Sequence, residues 1–93
     1  MYEEFEREHF RVLQRAHAIF VERSAVRGQL WLEFPPSDKL RELRERLMRM
    51  EAAYETVNWE KNQMMEVTMI EDALDTINYA AFFIKQIERG MRG

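Results

Sequence analysis

Apolar residues return every three or four positions over most of this chain, the spacing of helices and not of strands. From about Tyr2 to Arg27 they fall at Tyr2, Phe5, Val12, Ala16 and Ile19, and Phe10, Leu13 and Phe20 widen the stripe. Phe10 is thereby expected inside. Glu3, Glu4 and Glu6 sit where the helix dipole favours anions, and Gly28 is a natural stop. The stretch GQLWLEFPPSD then interrupts the periodicity. A hairpin needs a second strand and none follows, so a packed loop is expected, with Ser37 or Asp38 capping the next helix.

In the second helix Leu40, Leu43, Leu47, Met50, Tyr54 and Val57 alternate steps of three and four, a heptad seam. The helix is expected to fade near Asn58 to Asn62. Thr68 and Glu71 have capping-box spacing for a third helix, whose core stripe is Ile70, Ala73, Leu74, Ile77, Ala81, Ile84 and Ile87. The pattern predicts an all-α fold: one three-helix domain over 1–93, a long N-terminal helix plus a helical hairpin, with consecutive helices antiparallel.

Placed at 100° intervals, Asp72, Asp75, Tyr79 and Phe82 fall opposite that stripe. A face running from two aspartates to aromatic rings, Phe83 beside them, is expected to meet another chain or a ligand. Asp72 and Asp75 are one turn apart, so both carboxylates can reach one cation, and magnesium prefers such hard oxygen ligands. Glu51 and Glu55, near the edge of the second helix's seam, are better placed to join them than the E-x-x-E pair Glu42 and Glu45. Asn78, one step further along, can orient a phosphate or sugar hydroxyl. Arg46 belongs to a ring of arginines with Arg41, Arg44 and Arg49, which pair mostly with glutamates but can contact phosphate.

Composition narrows the chemistry. The absence of cysteine excludes disulfide scaffolds and thiol nucleophiles, and no glycine-rich phosphate loop or serine-nucleophile motif occurs. With 14 basic and 17 acidic residues, nucleic acid is not an expected partner. No apolar run approaches the roughly 20 residues of a membrane span. The segment MYEEFEREHF is unlike a signal peptide, so a cytoplasmic protein is expected. His9 and His17 diverge too far around a helix to share a zinc ion.

The segment MIEDALDTINYAAFFIKQIERG, an acidic pair followed by D-x-x-N-Y-A and an apolar run, resembles the last helix of small phage-type nucleotide-modification-associated proteins. These are relatives of the MazG-like all-helical nucleotide pyrophosphohydrolases. ERSAVRGQLW is similar in position to their glycine-and-aromatic loop, and SDKLRELRERL to their second helix. The resemblance implies magnesium on Asp72 and Asp75, and Asn78 and Tyr79 in the family's N-Y position. Trp31 and Arg46 complete the expected nucleotide site. Three functions follow as expectations. The leading one is binding of a nucleotide phosphate group, with or without magnesium, and, if the protein is active, hydrolysis of a nucleoside triphosphate to monophosphate and pyrophosphate. The second is noncatalytic capture of a nucleotide or nucleotide-derived signal, favoured if the site is basic and aromatic without four carboxylates. The third is an interaction module anchored by Trp31, Phe34, Phe82 and Phe83. In each the chain is expected to form a homo-oligomer, at least a dimer, because so short a chain buries a modest core.

Overall fold

A computed structural model describes residues 2–61 and 63–93. Three α-helices account for most of them: α1 (Tyr2–Arg27), α2 (Pro36–Thr56) and α3 (Gln63–Glu88), with a short 3-10 turn at Leu30–Leu32. No strand occurs among the described residues. α3 packs against both other helices. Contacts between Ala16 and Asn78 and between Arg23 and Asp75 run in opposite chain directions, as do Arg49–Asp72 and Arg46–Asp75. Each neighbour of α3 is therefore antiparallel to it, so α1 and α2 run parallel to each other on either side of α3, against the expectation that consecutive helices are antiparallel.

The ends have identifiable causes. Gly28, at φ 64°, donates its N–H to the Ser24 carbonyl at 2.8 Å, which closes α1 as expected. Gly90, at φ 76°, ends α3 in a Schellman motif, with Met91 N–H on the Gln86 carbonyl and Gly90 N–H on that of Ile87. α2 starts differently from the expectation: Pro35 is the cap, Pro36 is the first helical residue, and neither Ser37 nor Asp38 caps it. The Ser37 N–H is satisfied by the Gly93 carbonyl instead. α2 stops at Thr56, and an Asn58 side chain accepting the Glu60 N–H shapes the turn. Asn62, the far limit of the expected fade, lies outside the described residues. The Thr68–Glu71 capping box does not form. α3 has already begun at Gln63, and the Thr68 hydroxyl donates back to the Met64 carbonyl within it.

The faces differ most from the expectation. Buried positions among the described residues are Ala16, Pro36, Lys39, Leu74, Asp75 and Gln86, so half of them are polar or charged. On α2 the inward residues are Pro36, Lys39, Leu43, Arg46, Met50 and Ala53, and Val57 just past its end continues the row. That row lies one residue before the expected seam at alternate positions, and it leaves Leu40, Leu47 and Tyr54 on the surface, Leu47 at 56%. On α3 the face carrying Asp75, Tyr79 and Phe82 turns inward. Much of the expected core stripe faces out, with Ile84 55% exposed. Phe10 is also exposed, because every described residue up to Arg15 is exposed and the first half of α1 projects from the bundle. The radius of gyration is 15.2 Å, against about 12 Å for a compact chain of this length.

Candidate functional site

The inward turn of α3 and the projection of α1 leave a cavity of about 360 Å³ between the end of α1, the Gly28–Pro35 connection, the start of α2 and the middle of α3. Its apolar wall is aromatic. Trp31 stacks on Phe82 with centroids 5.2 Å apart and planes 11° apart, and Phe20 and Tyr79 each lie 5.6 Å from the same Phe82 ring. Phe34 completes the wall. These offset and tilted geometries are favourable aromatic arrangements.

The loop bearing Trp31 and Phe34 is held from below by Gln86, which is completely buried. Its Nε2 donates to the Trp31 carbonyl at 3.0 Å and to the Phe34 carbonyl at 2.6 Å. Both partners are acceptors, so the amide nitrogen, with its two hydrogens, must stand between them. One side chain on α3 thus sets the position of both aromatic residues. The apolar loop is packed because a buried amide replaces the water its carbonyls would otherwise bind.

The polar rim is a set of charge pairs. Arg23 Nη1 lies 2.6 Å from Asp75 Oδ1, Arg41 Nη2 lies 2.9 Å from Asp38 Oδ1, and Arg46 Nη1 lies 2.6 Å from Glu42 Oε2. Arg46 also approaches Asp75 Oδ2 at 4.0 Å and spreads its guanidinium 4.3 Å from the Tyr79 ring centre. Every carboxylate on the wall is therefore matched by a guanidinium. Two wall cations, Arg27 and Lys39, have no ion pair among the described residues. Lys39 is only 3% exposed, with its Nζ 5.7 Å from the centre of the Phe34 ring. Burial pushes its ammonium below the ordinary lysine value, while the carboxylates of Asp38 and Glu42 pull the other way.

Trp31, Tyr79, Asn78 and Asp75 meet at this cavity. Asn78 also ties α3 to α1, donating Nδ2 to the Ala16 carbonyl at 2.9 Å. Arg46 is not on the wall but braces Glu42, Asp75 and Tyr79. Asp72 stands apart, 3.1 Å from Arg49 Nη2. Glu51 and Glu55 lie on the exposed side of α2, whereas Glu42, which the helical projection disfavoured, lines the cavity. The projection measured angles from a seam that is not the buried one. Among the described residues no three His, Asp or Glu side chains come together to hold a metal ion. Asp72 and Asp75 would each have to leave an arginine to share a cation, so these carboxylates as arranged do not fit magnesium.

Sequence reasoning passed over Arg23, Arg27, Lys39 and Gln86. The first two carried a signal, an i,i+4 arginine pair immediately before the Gly28 stop. Lys39 and Gln86 carried none, since polar residues beside apolar stripes are ordinarily solvated. No family model matches the sequence, and no curated protein or solved structure is significantly similar to it. No helix among the described residues is long and apolar enough to cross a membrane.

Proposed function

We propose that this chain is a noncatalytic receptor for a nucleotide or nucleotide-derived anion, bound in the cavity beneath Trp31. One observation carries the reading: an aromatic wall meets a rim on which every carboxylate is neutralised and two cations are left over. Such a site suits a planar ring joined to an anionic group. The cavity is at the small end of the range of about 300–1,000 Å³ for small-molecule sites, enough for one mononucleotide. The MazG-like resemblance of the last helix motivates the nucleotide class, and the arginine-paired carboxylates favour binding over metal-dependent hydrolysis. Native mass spectrometry of freshly purified protein, followed by calorimetric titration with a nucleoside and nucleotide panel, tests it. Failure of every member of that panel to bind would overturn the reading.

We propose further that the working form is a homo-oligomer, at least a dimer. The accessible surface is 7537 Å². A compact monomer of this mass exposes only about 5,700 Å². The excess is larger than the ~800 Å² that each partner contributes to a standard interface. On α3 the exposed apolar residues Val67, Ile70, Ala81, Ile84 and Ile87 form an outward seam, interrupted where Leu74 is buried, and Leu40, Leu47 and Tyr54 of α2 are exposed as well. With so small a buried core, some cover is needed whenever the chain is folded, and a second copy is the partner always present. A monomeric mass by light scattering at tens of micromolar would overturn this.

A further inference from the structure

We infer that the cavity takes its ligand as a phosphomonoester dianion, held by Lys39 and Arg27 without a metal ion, in preference to a di- or triphosphate. The inference rests on the nucleotide reading above and adds the charge and length of the phosphate group.

The charge tally of the wall leads to this class. Asp38, Glu42 and Asp75 are each engaged by an arginine within 2.9 Å. Lys39 and Arg27 remain, and neither has a carboxylate or hydrogen-bond partner among the described residues. A lysine amine has three donors and no acceptor, so at Lys39 all of that capacity is unspent. The stem of Lys39 is enclosed but its amine is not among the sealed polar atoms, so a ligand in the cavity can reach it. A phosphomonoester carries about −1.5 to −2 charges at neutral pH and three strong acceptor oxygens, which matches two cations. Longer phosphate chains bring more charge, which enzymes ordinarily neutralise with magnesium. Here the carboxylates that would hold that metal are committed to arginine. The position of Lys39 agrees: it enters from the first turn of α2 beside Phe34, so a phosphate on its amine leaves the attached ring against the aromatic wall. The downward push on the Lys39 ammonium is relieved when an anion binds beside it.

The test is calorimetric titration of the full chain, in EDTA, with the nucleoside, 5′-monophosphate and 5′-triphosphate of each common base. The monophosphate of the preferred base should bind at least about tenfold more tightly than its nucleoside, and its triphosphate should bind no more tightly than the monophosphate. Lys39→Met should lower monophosphate affinity by about tenfold or more and leave nucleoside affinity nearly unchanged. Arg27→Gln, at an exposed position where folding is not at stake, should weaken the monophosphate alone, and Arg44→Gln should change neither. Circular dichroism of each variant separates lost binding from lost fold. A triphosphate preferred about tenfold in EDTA, or monophosphate binding indifferent to both Lys39→Met and Arg27→Gln, overturns the inference while the nucleotide reading stands. Binding of no nucleoside or nucleotide overturns both.

Discussion

Gln86 Nε2 donates to the Phe34 carbonyl at 2.6 Å across fifty-two residues of sequence, and through this bond a buried amide on the last helix shapes the loop that walls the cavity. The same nitrogen serves Trp31. Gln86→Leu should strand two loop carbonyls at about 1–3 kcal/mol each, offset in part by removal of the unpartnered Gln86 Oε1, for a net cost of about 2–4 kcal/mol. Urea unfolding gives the stability, and hydrogen exchange should show Leu30 to Phe34 opening first. Gln86→Glu presents an acceptor to two acceptors, which raises the new carboxyl's folded value. Its stability should be better in acid and fall as pH rises through that value. A flat pH response would contradict the clamp.

Asp75 holds α1 to α3 through Arg23, and it braces Arg46 on the α2 side. Asp75→Asn should cost about 2 kcal/mol, in the range for a charge-assisted hydrogen bond with one well-buried partner. Arg23 is half exposed, so Arg23→Gln should cost about 1 kcal/mol or less. Equal losses in thermal or urea unfolding would mean that Arg46 takes no part.

Lys39 gives a pH signature of the opposite sign from a paired lysine. Its folded value lies below the ordinary 10.5 because burial disfavours the charge. Between those two values the unfolded chain holds a proton that the folded chain has released, so stability rises with pH across that window. Lys39→Met should be more stable than the parent at neutral pH, and the difference should narrow as pH climbs toward 10.5. Urea midpoints of both proteins at several pH values check this, and a gap that widens would refute it.

The two apolar faces predict opposite outcomes for two glutamates. Ile84→Glu, on the outward seam, should lower the oligomer mass with helix content largely kept at high protein concentration. Phe82→Glu, in the ring cluster, should unfold the chain. The parent's melting temperature should rise with protein concentration, as for any assembly coupled to folding. Concentration-independent melting would point to a monomer.

Much of this protein was present in local sequence. Periodicity is a property of neighbouring residues, so the three helices, the α1 bounds, the Gly28 stop and the packed aromatic loop all followed from spacing and backbone chemistry. Trp31, Asn78, Tyr79 and Asp75 were singled out, and they do meet at one cavity. Which face of each helix points inward is a different kind of fact. α2 and α3 each carry two competing rows, and hydrophobicity alone ranks the Leu40–Leu47–Tyr54 row above Lys39–Arg46–Ala53. The tertiary structure reverses that ranking because Arg46, Asp75 and Gln86 meet compensating groups far away in the chain: a guanidinium opposite a carboxylate, and an amide between two carbonyls. Those compensations join residues up to fifty-five positions apart, and no window of local sequence contains both halves of either of them.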